Sequence, residues 1–495
     1  NTNNNPTIKE TFINNILKQL RGLQLSELPL DTLTIIIQLL SLKDALKFSE
    51  TSSFFFNTVP KYIDSISLEA SPKHNSSLQI HQSVYNLFYK SERLRYLNID
   101  GTKNWEESVV FLFPFSKFKS LHELELANVR FITNKDTSIP INQYEFNGGT
   151  YSLKELSLSE CEYIEADTWL KLTSLKHAPN LKSIKITTSR RDDNTSMDEF
   201  LLSFAKSDQH HHIKNLSVTA YDVKIMQSLR MNKLMINNLH RLDIGLMDRI
   251  CEEDAASSIS ILFQQLFMSE PSKSDDEYFV FGNLQILCVD FCPNDDSRGY
   301  NDISPVDLNN FVLNIPQIFP SLKLLGLYGS RAPLLFNDEH LNGLLDNKQI
   351  PQIIDLSIGF DDLSEAACDS LAQRILDTFP NLAWLTIENE QILMDPSEFI
   401  KNVETNIISP NNLQWITLCS SEEDEIRELS NGVFIEYWDR AVDQCQFETA
   451  LLRSQHIVSN GKKRKSVINT PKKQFQQELS LQQSITEQKD LDEDL

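Results

Sequence analysis

Leu153-Lys154-Glu155-Leu156-Ser157-Leu158 is the stretch whose reading decides the fold. Leu156 and Leu158 stand two apart and fall on one face of a short strand, while Glu155 and Ser157 point the other way. Downstream come Cys161 and Ile164, an apolar stretch at Leu170, Leu172 and Leu175, and then Pro179-Asn180-Leu181, where the pattern reopens. This is one strand-helix unit. Neither element buries its apolar face alone, so the unit demands stacked copies of itself.

Those copies exist. Apolar residues at offsets 0, 3 and 5 recur from Ile63, Leu94, Leu121, Leu153, Leu181, Ile213, Leu239, Leu284, Leu322, Ile353, Leu382 and Leu413, with a mean spacing of about 32 residues. The longest gaps, after the units at Leu239 and Leu284, read as loop insertions. In the unit at Ile353, Ser364 stands at a helix N-cap, Ala367, Leu371, Ile375 and Phe379 follow at helical spacing, and Pro380 stops the helix. The units resemble the cysteine-containing subtype of leucine-rich repeat, whose cysteine is met at Cys161 and Cys292, while other units carry Ser, Asp, Thr or Val there. The resemblance spans residues 63 to 420. It implies an α/β solenoid, a horseshoe with strands on the concave side and helices outside. Cys161 and Cys292 read as packing residues.

Ahead of the repeats, Ile8, Phe12, Ile16, Leu20 and Leu23 form the stripe of an amphipathic helix over residues 8 to 23. Between Leu25 and Leu40, Pro29 suits a helix start, Asp31 suits its positive end, and the apolar density exceeds the needs of one small core, which implies a partner. A short helix from Leu42 through Phe48 leads to Thr51-Ser52-Ser53-Phe54-Phe55-Phe56. This segment resembles an F-box: Leu28-Pro29 as the opening, Asp31 as the following acid, Ile36 and Leu40 as first-helix anchors, Asp44 and Leu46 in the next turn, Ser49 to Phe55 as the close. The match runs about 35 residues, to Val59. Thr51 stands where Val is usual, Phe55 where Trp is frequent, and the closing basic residues are absent.

The resemblance implies a small all-helical domain in a substrate receptor of an SCF-type ubiquitin ligase. Leu28, Pro29, Ile36, Ile37, Leu40, Leu46 and Phe55 would dock the SKP-family adaptor, which hangs from a cullin. The repeats would hold a protein substrate, and the chain itself would be no enzyme. Read from the residues alone, 28 to 59 serve equally as a helical cap on the first repeat, in a repeat scaffold that binds one partner without a ligase. The layout is a helical extension (1–24), the F-box-like domain (25–60), about twelve repeats (61–420), a C-terminal cap (421–458) and a disordered tail (459–495) with few large apolar residues.

Concave positions flank the repeat leucines. They make that face acidic with aromatic punctuation, and Tyr96, Glu123, Glu125, Asp243, Tyr328, Trp384, Glu388 and Trp415 are its candidate substrate contacts. Trp384 and Trp415 share one offset in adjacent units. Either they form an exposed pair, a typical hot spot, or the flank Val433-Phe434-Ile435-Glu436-Tyr437-Trp438 folds back over them. An acidic face disfavours a phosphorylated substrate, which seeks Arg clusters.

With 46 basic against 69 acidic residues, a net charge of −23, nucleic acid is not the partner; a basic or mixed-charge protein suits the chain better. No apolar run approaches a membrane span, and Asn1 to Asn5 lack a secretory pattern, so the chain reads as soluble and intracellular, in nucleus or cytoplasm, and its start at Asn1 suits a fragment or processed form. Seven scattered cysteines read as reduced. GxxxxGK, GxSxG and HExxH are absent, and no cofactor or metal is expected. His210-His211-His212 reads as a solvated loop, and Cys288 and Cys292 lack a second ligand pair. In the tail, Lys462, Lys463, Arg464, Lys465, Lys472 and Lys473 resemble a bipartite nuclear import signal, the alternative being a solvated basic patch. Thr470-Pro471-Lys472 resembles a proline-directed kinase site whose phosphate would offset that charge.

Overall fold

The computed structural model describes residues chiefly within 51–69, 91–131, 152–247, 259–292, 304–388 and 399–439, with gaps, together with Leu33 and Ile37. The chain divides into two compact units, Asn1–Leu418 with Ile426–Glu436, and Cys419–Glu425 with Tyr437–Leu495. In the second, the described residues are strand ends. The helices expected over 8–23 and 42–48, residues 440–458 of the expected cap and the tail from 459 lie outside the described residues.

The first unit is a solenoid-like repeat fold. All twelve repeat starts yield a strand beginning two residues later: β1 (Ser65–Glu69), β2 (Tyr96–Asp100), β4 (Glu123–Ala127), β6 (Glu155–Ser159), β7 (Ser183–Thr187), β8 (Asn215–Ala220), β9 (Arg241–Met247), β10 (Ile286–Cys292), β11 (Leu324–Tyr328), β12 (Asp355–Gly359), β13 (Trp384–Glu388) and β14 (Trp415–Ser420). Each pairs in parallel with its neighbour and in one register, so that Leu97, Leu124, Leu156, Ile184 and Leu216 form a continuous row. The leucine at offset 3 is buried in unit after unit because its side chain meets its own copy one strand away.

Two further strands were not legible as strands. β15 (Ile426–Glu428) and β16 (Phe434–Asp439) pair antiparallel and join the sheet beside β14, making fourteen strands, and Val433 and Ile435 are buried. A separate two-stranded sheet, β3 (Val109–Phe111) with β5 (Val129–Phe131), also escaped the leucine spacing.

Described helices follow many of the strands: α1 (Ser53–Thr58) before β1, then α2 (Ala166–Thr173), α3 (Thr195–Lys206), α4 (Val223–Met231), α5 (Lys233–Ile236), α6 (Ile259–Phe267), α7 (Pro305–Ile318), α8 (Asp338–Leu345) and α9 (Glu365–Thr378). The reading of α9 holds: the Ser364 hydroxyl accepts from the Ala367 N–H, and Ala367, Leu371, Ile375 and Phe379 are buried. In α2 the buried face is Trp169, Leu172 and Thr173. Leu175, expected to pack, is 39% exposed because the helix has ended before it. Phenylalanines dominate the middle of the core. Phe311 on α7 lies 5.1 Å from Phe263 and 5.3 Å from Phe267 on α6, centroid to centroid, and 6.0 Å from Phe319.

A polar row stitches the units together. In five units the residue just before the repeat leucine or isoleucine reaches back to a backbone carbonyl of the preceding unit: Ser152 to Lys119 and Leu121, Asn283 to Asn237, Ser321 to Gly282, Gln352 to Phe319 and Asn381 to Pro351. Asn412 donates instead to the Asn381 side chain. Arg93, in the same slot, lies over the Tyr62 ring of the unit before. Backbone strain is localised after the strands, where Asn128 (φ 52°) and Glu160 (φ 50°) are left-handed. Their slot in the β2 unit is Gly101, whose missing side chain leaves room for the Asn128 carbonyl.

Candidate protein-binding face

Alternation along each strand turns offsets 2, 4 and 6 away from the helices, and the shared register aligns them into three rows. At the N-terminal end, Tyr96 stands beside Glu123, and Glu123 beside Glu155. Glu123, Glu125 and Glu155 are exposed. The Tyr96 hydroxyl donates to Glu125 Oε2 at 2.9 Å, and burial together with that carboxylate pushes the phenol up to about 12. Partial burial, then the charges of Glu123 and Glu125, raise the Glu155 carboxyl above its usual range. These acids repel one another, Lys154 beside Glu155 offsets part of their charge, and Lys185 on β7 is an outward cation one strand further on. Tyr96, Glu123 and Glu125, three of the expected contacts, are thus brought together.

The middle of the face differs from expectation. Asp243 is 6% exposed, not an open contact. It sits two residues from Arg241, so both side chains leave the strand on one side, and Arg241 Nε meets Asp243 Oδ2 at 2.7 Å with both groups buried. Burial pushes Asp243 up to about 6 despite the guanidinium. Its other oxygen, Oδ1, has no hydrogen-bond partner of good geometry, the Cys288 thiol being the neighbouring weak donor. Cys288, Leu324 and Asp355 are buried alongside. Burial and the adjacent Asp243 hold the Cys288 thiol well above the ordinary range, which disfavours the thiolate.

At the C-terminal end Trp384 is in register with Trp415, as their shared offset required. Both are half-buried. Phe434 of β16 stacks on Trp415 with centroids 5.3 Å apart and planes 24° from parallel, so the flank does cover one tryptophan. Phe434 went unassigned to the row because no leucine spacing leads into β16. The strands that carry Tyr328 and Glu388 are described, but those two side chains are not.

Elsewhere the structure corrects the histidine reading. His210 and His212 are core residues and not a solvated loop. His210 Nε2 lies 2.9 Å from the Thr173 hydroxyl and its ring packs on Phe204 at 4.4 Å. Neither nitrogen of His212 makes a hydrogen bond of good geometry. Burial lowers both imidazoles to about 4. Among the described residues no group of His, Cys, Asp or Glu could hold a metal ion. Cys161 is buried, its thiol near the Leu126 and Ser159 carbonyls, and burial pushes it up to about 12, consistent with packing. The Cys292 side chain lies outside the described residues.

Of the F-box-like candidates, Ile37 and Phe55 are 2% and 7% exposed, with Leu33 and Val59 also buried. Leu28, Pro29, Ile36, Leu40 and Leu46 lie outside the described residues, as do Lys462, Lys463, Arg464, Lys465, Lys472 and Lys473. No described helix is long and apolar enough to cross a membrane.

No family model matches the chain. No curated protein matches it. Among solved structures, a crystal structure of a Rad7 and Elc1 complex in yeast matches with 14% identity and a TM-score of 0.31, covering 87% of this chain and 98% of that one.

Proposed function

We propose that the chain is the substrate-recognition adaptor of an SCF-type ubiquitin ligase. Residues 25–60 dock an SKP-family adaptor carried by a cullin, and the repeats hold a protein substrate. The observation that carries the reading is the register: twelve parallel strands align acidic and aromatic side chains on the face turned from the described helices, directly after an F-box-like sequence. Such a chain performs no bond chemistry. It acts by proximity, raising the effective concentration of substrate lysines at a ubiquitin thioester carried by another subunit. In this reading Ile37 and Phe55 hold the docking segment together from inside, leaving Leu28, Pro29, Ile36, Leu40 and Leu46 to make the contact. The basic clusters at 462–465 and 472–473 direct the protein to the nucleus.

A second reading, a repeat scaffold without a ligase, is favoured by the burial of Leu33, Ile37, Phe55 and Val59, which suits a cap on the first strand. Co-purification with the SKP-family adaptor and cullin separates the two. The first reading expects capture by the parent chain and loss in a folded Pro29→Ala, Ile36→Asp double variant. A folded parent that captures no adaptor makes residues 28–59 a cap and the protein a scaffold.

A further inference from the structure

The residue after each repeat leucine leads into its strand and forms a row of its own. Six consecutive units place Arg95, His122, Lys154, Lys182, Lys214 and His240 there and no acid, although acids outnumber bases 69 to 46 in the chain. From His122 to His240 the backbone N–H of each donates to the carbonyl of the same slot one unit earlier, at 2.7–2.8 Å, so the basic side chains follow one another about 4.8 Å apart. On β4 and β6 the next residue is Glu123 or Glu155, and the charges offset one another. On β7 and β8 it is Ser183 or Asn215, and the outward positions beyond are Lys185, Thr187, Ser217 and Thr219, without a carboxylate. Lys182 and Lys185 are exposed. Lys182 Nζ reaches the Pro179 carbonyl at 3.5 Å, Lys214 Nζ is held by Asn238, and among the described residues no acid forms an ion pair with Lys182, Lys185 or Lys214. Both borders are balanced: Glu155 on β6 has Lys154 beside it, and Asp243 on β9 is buried against Arg241.

Resting on the protein-binding role above, we infer that β7 and β8 seat an acidic segment of the protein partner, its Asp or Glu carboxylates on Lys182, Lys185 and Lys214 and the neighbouring hydroxyls and amide donating to it. Charge complementarity identifies this occupant. A basic segment would meet three like charges, and an apolar one would strip water from them without replacing it. The cations stand apart on two strands without an Arg fork, which suits single carboxylates spaced along an extended chain better than one phosphate dianion. The net charge of −23 acts weakly here, because at physiological salt it is screened beyond roughly 8 Å, under two strand steps.

The test is fluorescence anisotropy with the full chain at physiological salt. The probe is a labelled peptide of about ten alternating Glu and Ser residues, with a Lys and Ser peptide as control. Two double variants of equal charge change are compared: Lys182→Glu, Lys185→Glu on the strands, and Lys171→Glu, Lys206→Glu on exposed positions of the helices. The strand variant is expected to lose at least about tenfold in affinity for the acidic peptide, since two rim pairs turn from attractive to repulsive, and to gain affinity for the basic one. The helix variant should stay within about twofold of the parent, as should Lys182→Arg, Lys185→Arg, which keeps the charge. Equal losses in the two Glu variants would mean diffuse attraction and would overturn the inference, as would a parent chain that ignores the acidic peptide. Preference for a phosphoserine peptide or a single-stranded oligonucleotide over the Glu peptide would replace the occupant and overturn it too. Adaptor capture is read separately, so loss of the ligase reading leaves this result standing, and the reverse.

Discussion

Replacing His212 by Asn should make the solenoid less sensitive to acid. His212 occupies the slot before a repeat leucine where Ser152, Asn283, Ser321, Gln352 and Asn381 bond back to the preceding unit. As a buried imidazole held down to about 4, it stays neutral when folded and takes a proton near its ordinary 6.5 when unfolded. The unfolded state therefore binds more protons between those values. Stability is complete above about pH 7, falls as pH drops through 6.5, and levels off only below 4. At pH 5 the loss from this one residue is about 2 kcal/mol, with His210 contributing a similar amount. Asp243 works in the opposite sense, because a carboxyl pushed up to about 6 is protonated in the folded state first and stabilises it as pH falls. It is common to parent and variant and cancels in their difference. An Asn at 212 does not titrate, and by position the Pro179 carbonyl is the acceptor equivalent to those used in the other units. Urea unfolding of both chains at pH 8 and pH 5 should therefore show His212→Asn at least as stable as the parent at pH 8, and its acid-induced loss smaller by about 2 kcal/mol. Equal acid sensitivity in the two chains would refute the argument, and so would a variant much weaker at pH 8.

Two further substitutions probe the frame. Asn232 is buried, its amide donating to the Ala205 and Ser207 carbonyls and its oxygen capping α5 at the Met235 N–H, so Asn232→Ala should cost about 2–4 kcal/mol and speed hydrogen exchange in α3 and α5 first. Exchange unchanged there would show that the bonds are not coupled to the stack. Phe311→Ala opens a cavity among Phe263, Phe267 and Phe319 and should lower stability by about 3–5 kcal/mol, measured by the same urea titration. A cost under about 1 kcal/mol would mean that this core collapses around the gap.

The repeat frame was readable because its signal is periodic. Every start from Ile63 to Leu413 marks a strand two residues on, since a leucine at the wrong offset would turn its side chain to the other face. Side-chain pairing across that register was equally readable for Trp384 and Trp415. What escaped had no period. Arg241 and Asp243 look like open face positions in sequence, yet they neutralise each other and are buried, a tertiary outcome that alternation cannot report. Three consecutive histidines look solvated because polarity is read residue by residue, whereas His210 is held by Thr173 and Phe204 from a neighbouring unit and helix. The slot before the repeat leucine did carry a signal in five units, Ser, Asn or Gln at residues 152, 283, 321, 352 and 381, which a search confined to apolar positions passes over.

The sheet is also a ruler. Nine strand steps separate Glu123 on β4 from Trp415 on β14, and at about 4.8 Å per step they span roughly 43 Å along the sheet. An extended chain advances about 3.3 Å per residue, so a single ligand touching both the carboxylate end and the tryptophan end must commit about thirteen residues. Short linear motifs can engage one end only. Discrimination between a long partner and a short one is therefore set by counting strands, before any individual side chain is consulted.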